Sequence, residues 1–265
     1  MPKYYCKYCE FRSIRKNRLD DHINKNHNKV DIDNNKVTCE LMGGLGNQLF
    51  QIFTTISYAL DYNKKFIFPD KKELKNGPTI RKTYWNNLLS KLKKYTESSI
   101  NISKSHKESN YHFNNIPNYN QSLKLEGYFQ SFKYFEKNTN KILDLIELDI
   151  YKKDIKDKYL KDDKLTISMH FRIDDYINLQ DYHPILNLSY YINSLEYLID
   201  KLDKDNFKVL YFCQDKDDKT VNEKINLLSI KFKNLIFEKV SNSLDDWEQL
   251  LLMSLSNHNI ITLKL

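Results

Sequence analysis

Glycine is scarce in this chain and concentrated in one place. The 265 residues contain five glycines, and three of them, Gly43, Gly44 and Gly46, fall within four positions. The preceding segment, 36–42, reads KVTCELM and predicts a short strand, whereas NQLFQIFTTISYALDY after it has apolar residues at helical spacing. Glycine permits a positive φ and a close approach of another group to the backbone. The cluster therefore predicts a strand-to-helix turn and an α/β fold.

This turn matches neither of two familiar phosphate loops. A Walker loop ends in Gly-Lys-Ser/Thr, but Gly46 is followed by Asn47 and Gln48. A dinucleotide fingerprint counted from Gly44 and Gly46 requires a third glycine where the chain has Leu49. From the residues alone, a purely structural turn and a turn beside a ligand site both stay open.

The chain beyond residue 165 alternates between two kinds of segment. Strands are predicted at 165–171, 208–212, 235–237 and 259–263, with helices at 188–202, 220–232 and 244–255. Such alternation is typical of a parallel sheet, and ligands bind such sheets at the carboxyl ends of the strands. His170, Arg172 and Asp215 are expected at these ends.

The first 27 residues have the spacing of a metal site. Cys6, Cys9, His22 and His27 are separated by two, twelve and four residues. A turn carrying two thiolates and a helix carrying two imidazoles can enclose Zn²⁺ in a tetrahedron, which is the ββα arrangement of a C2H2 zinc finger. Residues 1–27 are therefore predicted to be a finger with a structural zinc ion, and coincidental spacing is the alternative. The polar segment 28–36 is predicted to be a linker.

The sequence leaves two classes of partner open for this finger. Arg15, Arg18 and Asp21 would occupy the positions from which such helices read bases. A single finger buries too little surface to specify a DNA site alone. Nucleic acid and protein are both candidate partners, and a purely structural role is a further alternative.

Composition and the absence of targeting signals predict the cellular compartment of the protein. With 40% hydrophobic and 29% charged residues it is globular, and a net charge of +7 tolerates anionic partners. The sequence MPKYYCKYCEF lacks the apolar region of a secretory signal, and no apolar run is long enough to cross a bilayer. Four cysteines favour a reducing compartment. We therefore expect a cytoplasmic protein without a membrane span.

Six segments resemble one family of enzymes, in the same order. The segment GGLGNQLFQ is similar to the N-terminal signature of glycosyltransferase family 11, the α-1,2-fucosyltransferases. The other segments similar to that family are LEGYFQSFKYF (125–135), ISMHFRIDDY (167–176), HPILNLSYY (183–191), LYFCQD (210–215) and WEQLLLMSLSNHNIIT (247–262). An unrelated two-layer domain would need six coincidental matches.

The resemblance implies a fold and a reaction. The fold would be GT-B-like, with a Rossmann-like acceptor-side domain at 37–150 and a nucleotide-sugar-binding domain at 151–265. The reaction would be an inverting hexosyl transfer, in which L-fucose passes from GDP-fucose to a hydroxyl of a galactose-containing glycan. The family is expected to need no catalytic metal.

The resemblance also assigns roles to residues. Arg172 would bind the pyrophosphate, because a guanidinium fork matches two phosphate oxygens; its alternative is an ion pair with Asp174 or Asp175. His170 and Asp215 would contact guanine, with a buried core histidine as the alternative for His170. Glu126 is the candidate catalytic base. The residues expected to line the cleft are Gly43, Gly44, Gly46, Asn47 and Gln48.

Two departures from the family pattern bear on activity. Ile173 replaces an arginine and Asp174 replaces a glycine, which removes one cation and adds an anion beside the expected phosphate site. The sequence also ends at Leu265 without the family's Asn-Ser-Ser-Phe-Ser-Trp-Trp segment, so the second domain is expected to be truncated. The alternative function is therefore a catalytically inactive transferase-like fold, whose finger binds nucleic acid or protein.

Overall fold

The fold comprises two compact units. The computed structural model describes residues 4–5, 12–19, 22, 35–75, 79–177, 180–181 and 183–262. The first unit comprises Met1–Ile146 and the second Glu147–Leu265.

Strands and helices alternate in the second unit, whereas the regular elements that follow the long helix of the first unit are mostly short strands. The strands are β1 (Tyr4–Tyr5), β2 (Arg12–Ser13), β3 (Lys36–Cys39), β4 (Lys65–Phe66), β5 (Phe68–Pro69), β6 (Glu73–Leu74), β7 (Arg81–Lys82), β8 (Thr96–Glu97), β9 (Ser105–Lys107), β10 (Leu123–Glu126), β11 (Thr166–His170), β12 (Lys208–Phe212), β13 (Ile236–Lys239) and β14 (His258–Ile260). The α-helices within residues 35–262 are α1 (Leu45–Asp61), α2 (Thr139–Leu145), α3 (Leu148–Tyr159), α4 (Leu188–Leu202), α5 (Asp218–Lys231) and α6 (Asp246–Leu255). Short 3-10 helices occur at Ser90–Tyr95, Phe132–Tyr134, Glu136–Asn138, Asp174–Tyr176 and Asp215–Asp217.

The first unit is built on a parallel sheet with the strand order β4-β3-β10-β9. Val37 and Cys39 of β3 pair in register with Leu123 and Leu125 of β10, and all four side chains are buried. Helix α1 covers this face, where Thr55 is hydrogen-bonded to the Cys39 thiol. The intervening strand residues point to the opposite face, because side chains alternate along a strand.

The second unit contains a parallel sheet with the strand order β13-β12-β11-β14. All five residues of β12 are buried, as are the first four of β11. Ile167 and Val209 lie in one core cluster with Leu195 of α4 and Leu228 of α5. The predicted strands and helices of this unit are confirmed, each to within a few residues. A continuous apolar strand is what a sheet covered on both faces requires.

The N-terminal segment follows the order of a ββα module in its described residues. Tyr4–Tyr5 pairs antiparallel with Arg12–Ser13. Helical backbone follows at residues 16–19 and at 22. Of the four predicted zinc ligands only His22 is among the described residues; Cys6, Cys9 and His27 lie outside them.

None of the helices in the described ranges combines the length and the apolar character that crossing a bilayer requires.

Candidate active site

The glycine turn depends on one glycine rather than three. Gly43 has φ +74°, and a Cβ built on it would collide with the side chain of Asn47. Gly44 is the N-cap of α1, Gly46 lies inside that helix, and a Cβ at either position would meet no other atom within 4 Å. The expectation that all three glycines form the tight turn is corrected, since the backbone requires glycine only at Gly43.

Two glutamines of α1 fasten the segments around this turn. Gln48 Nε2 donates to the carbonyl oxygens of Gly43 (3.0 Å) and Lys82 (2.9 Å). Gln51 Oε1 accepts from the Met42 N–H (3.0 Å), and its Nε2 donates to the Gly127 carbonyl (3.1 Å). Both side chains are buried. The expectation that Gln48 lines a cleft is therefore wrong, because its amide is enclosed and fixes the backbone.

The segments GGLGNQ and GYFQS, far apart in sequence, meet in the first unit. Gln130 Nε2 donates to Asn47 Oδ1 at 2.7 Å. Glu108 Oε2 accepts from the backbone N–H groups of Tyr128 (2.8 Å) and Phe129 (2.9 Å), which holds the second segment in place. Sequence reasoning missed Glu108, since an isolated glutamate in a polar loop carries no local signal of this contact.

Glu126 ends β10 beside a cavity of about 430 Å³. Its carboxylate forms an ion pair with Lys124 Nζ at 2.5 Å, and the same ammonium lies 3.9 Å from Glu40. Tyr111 and Tyr128 also line the cavity. A carboxylate, an ammonium and two phenols give this end of the sheet the hydrogen-bonding groups that a sugar requires.

The second unit has a topological switch point between β11 and β14. The chain runs from β11 to β12 and β13 on one side, whereas β14 pairs with the other side of β11. His170 ends β11, and its Nδ1 is hydrogen-bonded to Thr262 Oγ1 at 3.0 Å, just beyond β14. Ligands of open α/β sheets bind at such points. Sequence reasoning missed Thr262, because strand order cannot be read from the chain.

Arg172 is held by an aromatic stack. Its guanidinium carbon lies 4.5 Å from the ring centroid of Tyr176, and Tyr176 stacks on His183 with centroids 4.7 Å apart. Tyr176 is buried. A guanidinium resting on a fixed ring loses less side-chain freedom when it binds an anion.

The two departures in the HFRIDDY segment are accommodated locally. Ile173 is buried in the core cluster of the second unit. The Asp174 carboxylate forms an ion pair with Lys216, which follows β12. The anion expected to oppose phosphate binding is thus neutralised by a neighbouring cation. The side chain of Asp175 lies outside the described residues.

The segment after β12 contributes two further carboxylates. Asp215 is exposed at the carboxyl end of the strand and accepts a hydrogen bond from the Asn242 amide. Asp217 is buried, and burial raises its pKa, while the backbone N–H groups of Asp174 and Ile173 act in the opposite direction. Asp217 therefore links the loops after β11 and β12. The sequence DKDD (215–218) does not indicate which of its three carboxylates is buried.

Among the described residues, no group of three or more His, Cys, Asp and Glu side chains could hold a metal ion. The finger ligands Cys6, Cys9 and His27 lie outside this set.

Comparison with known proteins identifies solved structures but no family. No family model matches the sequence, and no curated protein matches it. A crystal structure of POFUT1 in complex with GDP is similar, with 12% identity and a TM-score of 0.48, covering 86% of this chain and 90% of that chain. A second, of POFUT1 in complex with GDP-fucose, has 12% identity and a TM-score of 0.43, covering 85% and 89% of the two chains.

Proposed function

We propose that this protein is a fucosyltransferase, which transfers L-fucose from GDP-fucose to a hydroxyl of a galactose-containing glycan with inversion. The observation that carries the proposal is the carboxyl edge of the second sheet. Two segments that resemble family 11 end there: His170 and Arg172 are at the carboxyl end of β11, which borders the switch point, and Asp215 follows the neighbouring β12. The first unit would serve the acceptor.

The donor site rests on Arg172. Its guanidinium would bind two oxygens of the pyrophosphate, and the Tyr176 ring keeps its plane fixed. His170 and Asp215 would contact the guanine, with the Asp215 carboxylate accepting from the N–H edge of the base. Lys216 pairs with Asp174, which reduces the repulsion between Asp174 and the phosphates.

We propose a single displacement for the transfer step. An oxygen of the acceptor hydroxyl would attack the anomeric carbon of fucose as the bond to the β-phosphate breaks, and GDP would leave with that electron pair. The hydroxyl proton would pass to the Glu126 carboxylate, the general base. Negative charge develops on the leaving phosphate, where Arg172 stabilises it.

The N-terminal segment carries its own proposal. Zn²⁺ would be held by Cys6, Cys9, His22 and His27, and the β1–β2 pairing followed by helical backbone supports this arrangement. Residues 71–107 hold ten Lys and Arg against two Glu. Such a basic block favours a second function, binding of nucleic acid by a fold that does not catalyse transfer.

One titration series separates the two functions. Arg172→Ala should weaken GDP binding about 10- to 100-fold, because a charge-assisted pair is worth roughly 1.5–3 kcal/mol. Arg172→Lys should recover only part of the affinity, since an ammonium lacks the fork. Isothermal titration with GDP measures both variants. The fucosyltransferase proposal fails if wild-type protein binds no GDP. Salt-sensitive nucleic-acid binding would then favour the second function; loss of this binding in Cys6→Ala would assign it to the finger, and its retention would assign it to the basic residues 71–107.

A further inference from the structure

The sheet of the first unit has a polar face that α1 does not cover. The strand residues that alternate with the buried Val37 and Leu123 include Thr38, which pairs in register with Lys124. Parallel sheets are normally apolar on both faces, each covered by helices. A polar face on a parallel sheet therefore requires an explanation other than packing.

Two cavities lie along this face and share a residue. One, of about 320 Å³, is lined by Thr38, Glu40, Glu97, Asn101 and Lys124 among others. The other is the cavity at Glu126, of about 430 Å³, and Glu40 lines both. Each falls within the range of small-molecule sites, ~300–1,000 Å³. We call the two together the face groove.

The chemistry of the face groove fits an uncharged, hydroxyl-rich ligand. Its charged side chains are of both signs: Lys124 lies between Glu40 and Glu126, and the other charged lining residues are Lys71, Lys107, Glu97 and Glu108. Three lysines and four glutamates offer donors and acceptors without the positive surplus that attracts a polyanion. Ile100 and Ile102 add apolar wall, and Tyr111 is 76% exposed at the far end.

One buried group points directly to a polar ligand. Thr38 is 2% exposed and lines the first cavity, yet within the described part of the chain its hydroxyl oxygen has no hydrogen-bond partner. A buried hydroxyl without a partner is destabilising, because it has lost its hydrogen bonds to water and gained none in return. A ligand hydroxyl in this cavity would supply the missing hydrogen bond.

We propose that the face groove binds an oligosaccharide, with one sugar unit at Glu126 and further units running along the sheet to Thr38 and Asn101. This inference rests on the proposed function, and it defines the acceptor as a chain of several sugars rather than a single galactose. Each added unit would occupy a new subsite, so affinity should increase with chain length.

A ladder of neutral galactose-terminated oligosaccharides of one to four units, labelled at the reducing end, tests this inference. Titrated into the full-length protein, the trisaccharide should bind at least about tenfold more tightly than the monosaccharide. Thr38→Val removes only the buried hydroxyl, and Asn101→Ala truncates an exposed loop residue. In each variant the trisaccharide should bind less than about threefold more tightly than the monosaccharide. Lys72→Met, an exposed lysine of the same unit that does not line the groove, should keep the full gain.

Several results would overturn the inference. Affinity that does not change with chain length would do so, as would an unchanged gain in both Thr38→Val and Asn101→Ala. An oligonucleotide that binds more tightly than any glycan, and loses affinity in these two variants, would identify a different occupant. GDP binding, measured on the same samples, reports on the second unit. If the protein binds GDP but its glycan affinity does not depend on chain length, the groove is rejected and the donor site is not. If glycan affinity increases with chain length but GDP does not bind, the groove is supported and the transferase proposal is rejected.

Discussion

Both units contain a four-stranded parallel sheet, but the two sheets differ in strand order and in how their faces are covered. In the second unit β12 is buried along its whole length, and its sequence KVLYF is almost continuously apolar. In the first unit β10 reads LKLE, and buried and half-buried residues alternate. The core strand of the second sheet is thus buried on both faces by apolar residues, whereas the first sheet carries polar residues on one face. A parallel sheet can have one polar face where ion pairs and hydrogen bonds replace apolar packing.

The largest expected effect concerns two buried thiols, one in each unit. Burial raises the pKa of Cys39 to about 12 and that of Cys213 to about 12. Both thiols should react with a disulfide reagent at least about 10³-fold more slowly than in the unfolded chain, because unfolding costs ~5–15 kcal/mol. Because polar groups form one face of its sheet, where apolar packing is reduced, the first unit should open first, so Cys39 should be labelled at a lower urea concentration than Cys213.

Peptide mapping by mass spectrometry assigns the label and separates it from Cys6 and Cys9. Labelling of Cys39 and Cys213 at the same urea concentration would show that the two units unfold together, and the first unit would then not be the less stable one.

A second prediction compares two glycines of the first unit. Gly43→Ala places a side chain at a positive φ and against Asn47, so it should destabilise the unit by at least about 1–2 kcal/mol. Gly46→Ala, in an exposed first turn of α1 with open space, should be neutral or stabilise by up to about 1 kcal/mol. Urea unfolding of both variants measures the difference. Equal free energies of unfolding would mean that the turn is not strained at Gly43.

The smallest effect concerns pH and adjacent carboxylates in the second unit. Burial raises the pKa of Asp217, so its ionisation lowers stability as the pH rises from its ordinary value of 3.8 through the folded pKa. Asp217→Asn should therefore gain stability relative to wild type between about pH 3.5 and pH 7. The gain should be larger at about pH 7 than at about pH 3.5, because only the wild-type side chain ionises between these two values. The amide oxygen of the variant can still accept from the loop backbone.

Asp218 provides a control of opposite sign. Its hydrogen bond to Lys239 lowers its pKa, so it contributes stability above pH 3.8 that is lost as the pH falls through the folded pKa. Asp218→Asn should lose stability relative to wild type as the pH rises. Denaturant unfolding at about pH 3.5 and about pH 7 measures the stability of each variant relative to wild type. If this difference changes with pH in the same direction for Asp217→Asn and Asp218→Asn, the assignment is wrong.

Much of the fold could be predicted from local pattern. The strand–glycine–helix unit and the alternation after residue 165 both appear in the structure. Local pattern also correctly predicted that His170, Arg172 and Asp215 follow strands, because strand ends are marked by where an apolar run stops. What failed was side-chain direction: Gln48 was expected in a cleft but turns inward to two carbonyl groups.

The sequence by itself determined the strand-to-helix turn at Gly43 and the strands and helices after residue 165, since periodicity and glycine placement are properties of neighbouring residues. Only the tertiary structure decided the strand order, and with it the pairing of His170 with Thr262, of Asp174 with Lys216, and of Thr38 with Lys124. These partners are 42 to 92 positions apart in the chain. No local propensity encodes such contacts, because they form only when the whole sheet assembles and brings distant strand ends to one edge.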